Sequence, residues 1–268
     1  MKNPPTSEEQ QARLDRFFEA LRRAPRAVLL LDYDGTLAPF RVEREQAVPY
    51  PGVVEALARI ASDGRTRLAL VSGRSVEALL QLVHFPFDIE IWGTHGAERR
   101  RADGRLEVVP LTGPARVALR QAQDFARLLG YGTALEVKPT SVALHWRGRS
   151  ESWIRGARNN LVAEWQRIAQ RGAAEVLEFD GGVELRARGF DKGGVVRQIL
   201  QEEPAETPVA YLGDDLTDED AFRALHGRGL SVLVRETFRP TEAVLWLRPP
   251  EGLLRFLNRW AETTGANA

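Results

Sequence analysis

The sequence predicts an α/β fold: a parallel-sheet core interrupted by an inserted α+β domain. Three observations predict it. Short apolar runs suited to buried parallel strands recur at 27–32, 67–71, 88–92, 208–212, 230–234 and 243–247. Helical patterns lie between several of them, at 52–61, 75–83, 193–201 and 218–225, with a last helix near 251–262. Strands alternating with helices imply a parallel sheet, whose ligands bind beyond the carboxyl ends of the strands. The stretch 98–188 breaks this rhythm and reads as a separate insertion.

The elements follow in order. Residues 7–24 carry Leu14, Phe17, Phe18 and Leu21 at helical spacing, with Ser7 and Gln10 as a capping box and Pro25 as the stop. The first strand then runs straight into Asp32-Tyr33-Asp34-Gly35-Thr36. "RRRADGRLEVV" reads as a hairpin turning at Asp103-Gly104. Helix, strand, turn, strand then occurs twice: a helix near 114–129 with "ALEVKPTSVALHWR", and a helix near 152–170 with "EVLEFDGGVELRAR". Strand alternation places Leu135, Val137, Val142, Leu144, Trp146, Val183, Leu185 and Ala187 against these helices. Glu136, Lys138, His145, Glu184 and Arg186 fall on the open face, where ordinary solvated residues are also expected.

The 268-residue chain is long enough for one large domain or two modest ones. Its 37 basic and 37 acidic residues balance, so nothing suggests a general attraction to nucleic acid or anionic lipid. The Arg99-Arg100-Arg101 run with Arg105 lacks an aromatic platform and reads as a solvated basic edge. No cysteine is present, which excludes disulfides and thiolate metal sites and fits a reducing compartment. The polar start "MKNPPTSEEQQ" has no signal-peptide core, and no apolar run spans a membrane, so a cytoplasmic protein is expected. A monomer is expected, with an oligomer left open. Of the 37 basic residues only Lys2, Lys138 and Lys192 are lysines. A compact point charge survives where a wide planar fork does not fit.

Four motifs sit at the ends of the expected core strands: "DYDGT", "SGRS", "DKGG" and "GDDLTDED". Asp214 and Asp215 with Asp32 form a hard-oxygen donor set suited to Mg²⁺. Ser72, the backbone N–H groups of Gly73 and Arg74, and the helix starting near Ser75 are suited to a phosphate oxygen. Asp32 is read as an in-line nucleophile and Asp34 as the general acid and base, with Lys192 offsetting the repulsion between carboxylate and phosphate. Thr217 and Asp220 read as a helix cap, and Glu219 and Asp220 as first-turn acids.

"DYDGTL", "SGR", "DKG" and "GDDxTDE" resemble the four motifs of the haloacid-dehalogenase-like phosphatase superfamily, and the duplicated α-β-β insertion resembles its C2-type cap. "GTHGAERR", "ALEVKPTSVALHWR", "GVELRARGFDKG" and "YLGDDLTDEDAF" resemble trehalose-phosphatase segments more narrowly. That likeness implies a Rossmann-like core over 1–97 and 189–268 and a specificity cap over 98–188. It implies Mg²⁺-dependent hydrolysis of trehalose 6-phosphate through an aspartyl-phosphate. Asp32 and Asp34 would be the catalytic acids. Asp32, Asp214, Asp215 and the carbonyl of Asp34 would lie at the metal, with Asp218 near it. Ser72, Gly73, Arg74 and Lys192 would hold the phosphate region, and His95, Glu136, Lys138 and Glu184 would contact the sugar; for His95 a loop histidine satisfied by backbone is an equal reading. Another sugar phosphate, such as a sucrose or mannosyl-glycerate phosphate, a mutase, or a non-catalytic domain of the same fold remain the alternatives.

Overall fold

The structure, a computed structural model, describes residues 6–41, 43–179 and 181–265. Its strands in chain order are β1 (Ala27–Leu31), β2 (Thr66–Val71), β3 (Glu90–Gly93), β4 (Glu98–Arg100), β5 (Leu106–Val108), β6 (Leu135–Lys138), β7 (Ser141–His145), β8 (Ala174–Phe179), β9 (Gly182–Ala187), β10 (Val209–Gly213), β11 (Leu230–Val234) and β12 (Leu245–Leu247). The helices are α1 (Ser7–Arg23), α2 (Val53–Ser62), α3 (Val76–Leu82), α4 (Gly113–Leu128), α5 (Glu151–Ala157), α6 (Ala163–Ala169), α7 (Lys192–Glu202), α8 (Glu219–Ala224) and α9 (Glu251–Gly265). The chain divides into two compact units, 1–107 with 192–268, and 108–191.

The first unit holds one eight-stranded sheet, ordered β12-β11-β10-β1-β2-β3-β4-β5. From β12 to β3 all neighbours are parallel. Every residue of β1 is buried, because the strand feeds two layers. Leu29 and Leu31 pack with Phe18, Leu57 and Trp260 on one face, while Val28 and Leu30 pack with Val196, Ile199 and Phe222 on the other. Phe17, Phe18, Phe256 and Trp260 join α1 to α9. The cap of α1 is Thr6 with Glu9, one residue ahead of the expected Ser7 and Gln10.

The hairpin from 98 to 108, expected to open the insertion, belongs instead to this sheet. β4 pairs antiparallel with β3, matching Trp92 to Arg99, and the Arg99 guanidinium lies 4.4 Å from the Trp92 ring. Arg99 and Arg67 also share Glu90 and Glu202, which ties β2, β3, β4 and α7 together.

The second unit is an antiparallel sheet ordered β6-β7-β9-β8, with α4 and the helical stretch from α5 to α6 on one face. Between α5 and α6, Arg158–Val162 forms a wider π-type turn. Val142, Leu144, Trp146, Val183, Leu185 and Ala187 join the helices' core as their alternation requires. Val137 does not: at the edge strand it stays 51% exposed. Among the described residues, no helix is long and apolar enough to cross a membrane.

Candidate active site

The strand ends of the first unit bring the motif residues together. The Asp32 N–H donates to the Leu212 carbonyl at 2.9 Å, and the Ser72 N–H donates to the Trp92 carbonyl at 2.8 Å, so each loop leaves its strand in fixed register. Tyr33, between the two aspartates, points the other way. Its hydroxyl donates to the Ala47 carbonyl at 2.7 Å inside the core, and burial pushes its pKa up. Alternation alone therefore sends Asp32 and Asp34 to the same side.

Asp32 is held at both oxygens. Lys192 Nζ donates to Oδ1 at 2.7 Å and Thr36 Oγ1 to Oδ2 at 3.0 Å. Lys192 also donates to Asp218 Oδ1 at 2.7 Å, and all three side chains are buried. Asp218 further accepts from the Tyr211 hydroxyl and from the N–H groups of Asp214 and Asp215. With four donors on two oxygens, Asp218 acts as the brace that fixes Lys192 and the Asp214 turn. Gly35 (φ +85°) is where the first loop passes this turn: a Cβ there would come within 2.3 Å of Asp214 Oδ2.

Ligand oxygens of Asp32, Asp214 and Asp218 lie within 4.8 Å of one another. Burial and the neighbouring carboxylates raise Asp214 well above the usual range. Burial also lifts Asp32 to about 7, against the opposing pull of Lys192. Three buried acids face Lys192 and, 3.9 Å from Asp214 Oδ2, Arg235, which leaves them short of positive charge, and their oxygens suit a hard divalent cation. The residues fit such an ion. Asp215 lies outside this three-acid group, and the carboxylate of Asp34, whose carbonyl is the expected metal ligand, pairs with Arg74.

A test of this charge balance follows. Between about pH 5 and 7 the folded chain keeps protons on Asp32 that the unfolded chain, with its carboxyl near 3.8, has released. Metal-free protein is therefore expected to lose stability as pH rises through that window. Glu202, held at about 2 against the cost of burial by Arg99 and Arg67, changes stability only at lower pH. Thermal denaturation in EDTA at the two ends of the window, repeated with Mg²⁺, should show a falling Tm that the cation restores. A Tm that rises with pH in EDTA and ignores Mg²⁺ would contradict the reading.

Arg74 and Asp34 form a bidentate pair, 2.6 Å from Nε and 2.5 Å from Nη2. Both Asp34 oxygens accept from this one guanidinium. Ser72 Oγ accepts from the Arg74 N–H at 3.1 Å. The start of α3 is not open to a phosphate. Buried Glu98 accepts from the Val76 N–H at 2.7 Å, and the Ser75 hydroxyl accepts from the Ala78 N–H. His95 is buried at a backbone φ of +55°, after Thr94 at +50°, and its N–H donates to the Ser72 carbonyl. Its ring covers Gly73, where a Cβ would meet His95 Cε1 at 2.7 Å. This strained turn is thus locked onto the Ser72–Arg74 loop.

In the second unit the expected sugar residues cluster by themselves. Glu184, buried on β9, accepts from Ser141 Oγ at 2.6 Å and from Lys138 Nζ at 3.3 Å. Lys138 lies 3.8 Å from Glu136, and His145 Nε2 lies 2.8 Å from Glu136 Oε2. From its position Glu219 is expected only as a first-turn acid. Its buried carboxylate instead accepts from Arg239, from Thr241 Oγ1 at 2.8 Å and from the Glu242 N–H at 2.8 Å. Arg239 in turn reaches the Asp214 carbonyl. The expected Thr217 cap is absent: Asp218 stands at the start of α8.

The architecture is one that solved haloacid-dehalogenase-like structures share. The C-terminal domain of C. albicans trehalose-6-phosphate phosphatase has the same fold, with a TM-score of 0.82 at 20% identity over 97% of this chain and 98% of that one. The trehalose-phosphatase family model matches residues 30–245, and the chain belongs to that family. The trehalose-6-phosphate phosphatase of Escherichia coli is 33% identical over 205 residues, 74% of this chain and 73% of its own. The trehalose-phosphate phosphatase of Mycobacterium marinum is 32% identical over 251 residues, 88% of this chain. The match spans 62% of that mycobacterial relative's length.

Proposed function

We propose that the chain hydrolyses trehalose 6-phosphate to trehalose and inorganic phosphate, the last step of trehalose synthesis, with Mg²⁺ as its cation. The observation that carries this is Asp32, buried at a strand end and held at both oxygens, within a family whose relatives bear that activity in their names. An Asp32 oxygen attacks phosphorus as the bond to the sugar oxygen breaks, leaving an aspartyl-phosphate. Asp34 gives its proton to the departing sugar oxygen, which requires Arg74 to release one of its oxygens. Water then attacks phosphorus as its bond to the Asp32 oxygen breaks, Asp34 takes a proton from that water, and phosphate leaves with the Asp32 carboxylate restored. Lys192 stays between Asp32 and Asp218 and offsets the approach of two anions. Asp32, Asp214 and the Asp34 carbonyl would hold Mg²⁺, which would supply further charge stabilisation there. Ser72, Gly73 and Arg74 hold the phosphate region, and His95 stands against them.

Glu136, Lys138 and Glu184 read the disaccharide. Charged donors and acceptors suit a ligand made of hydroxyls, and the insertion gathers three such groups on one sheet face. Alanine at each position should cut kcat/KM for trehalose 6-phosphate by roughly ten- to a hundredfold more than for an aryl phosphate, the scale of a lost hydrogen bond to a charged group. Equal losses on the two substrates would place these residues outside specificity.

A further inference from the structure

We propose that His145 is a positioning residue that presets Glu136 for the sugar, an inference that rests on the sugar-reading role of Glu136. The geometry that points to it spans four strands. His145 on β7 and Phe179 on β8 are both in register with Gly182 on the intervening strand β9. Gly182 carries no side chain, and a Cβ there would come within 2.2 Å of the Phe179 ring. The two rings therefore meet across the glycine, 5.4 Å apart and inclined at 63°. Phe179 fixes one side of the imidazole, and Nε2 at its other edge is 2.8 Å from Glu136 Oε2.

Glu136 carries an entropy cost that such an anchor removes. It lies on the edge strand β6, its side chain is 31% exposed, and it has three rotatable bonds to lose on binding. Lys138 alone does not fix it, since that pair stands at 3.8 Å and Lys138 is closer to Glu184. Ordering Glu136 before the substrate arrives removes that entropy cost from binding. His145 thus acts through Glu136, with Phe179 and Gly182 holding the imidazole.

The test compares His145→Ala, His145→Gln, Glu136→Ala and the His145→Ala/Glu136→Ala pair in the full chain, with steady-state kinetics on trehalose 6-phosphate and an aryl phosphate. His145→Ala should raise KM for trehalose 6-phosphate about tenfold more than for the aryl phosphate, with little change in kcat. His145→Gln, whose amide reaches the same carboxylate, should recover most of that loss. In the Glu136→Ala background the His145 change should add almost nothing. Additive losses, no recovery by glutamine, or equal effects on both substrates would overturn the proposal and leave His145 a packing residue. A selective Glu136→Ala with KM unaffected in His145→Ala overturns the proposal alone. An unselective Glu136→Ala overturns the sugar-reading role beneath it.

Discussion

Asp32→Asn is expected to abolish phosphate release from trehalose 6-phosphate, by at least about a thousandfold in kcat, the scale seen when a nucleophile is removed. The amide has nearly the same shape, so Thr36 and the strand end keep their places, but it no longer offers an anionic oxygen to phosphorus. Folding should not suffer. Burial already pushes the Asp32 carboxyl to about 7, so removing its charge relieves a desolvation penalty. Tm in EDTA should therefore hold or rise while turnover disappears. Turnover retained in this variant would remove Asp32 from the nucleophile's role, and lost turnover with a collapsed Tm would make the residue structural.

The second large effect falls on Lys192. Its ammonium touches Asp32 and Asp218 at 2.7 Å each and is buried with them, so Lys192→Met leaves two buried carboxylates without their shared cation. Breaking such a group costs roughly 3–5 kcal/mol of stability. Lys192→Arg keeps the charge and should keep more of the fold. Its wide fork does not fit a space that two carboxylates define around one nitrogen, so activity should still fall by about a hundredfold or more. Near-normal turnover in Lys192→Arg would undo the argument that this lysine persists in an arginine-rich chain for its shape. Thermal denaturation of both variants separates the charge effect from the shape effect.

The β1 run and the motifs after β1, β2 and β10 were legible in the sequence because buried parallel strands write themselves as short apolar stretches. A carboxylate directly after one is costly unless it has a use. The helix-facing residues of β7 and β9 followed from alternation in the same way, but on the face expected to be open Glu184 and Arg186 are buried. What stayed hidden were partners distant along the chain. Glu98 reads as part of a hairpin, yet it caps the start of α3, 22 residues earlier. Arg74 reads as a phosphate residue, and its guanidinium holds Asp34, 40 residues away. In the sequence Asp218 is expected near the metal and Glu219 as a first-turn acid. Only folding shows that one braces Lys192 and the Asp214 turn, while the other ties the segment at 239–242 to that turn. Val137 alternates correctly but lies on an edge strand that the helices do not cover. The Gly182 gap was invisible for a related reason: it matters only because His145 and Phe179 flank it in register.

On the proposed mechanism these carboxylates perform metal-dependent phosphate transfer from trehalose 6-phosphate to water. Phosphate release from trehalose 6-phosphate, sucrose 6-phosphate, glucose 6-phosphate and an aryl phosphate, each with Mg²⁺ and with EDTA, tests it most directly. A strong preference for trehalose 6-phosphate that EDTA abolishes is expected. Release that is insensitive to EDTA, or that favours another of these substrates, would contradict it.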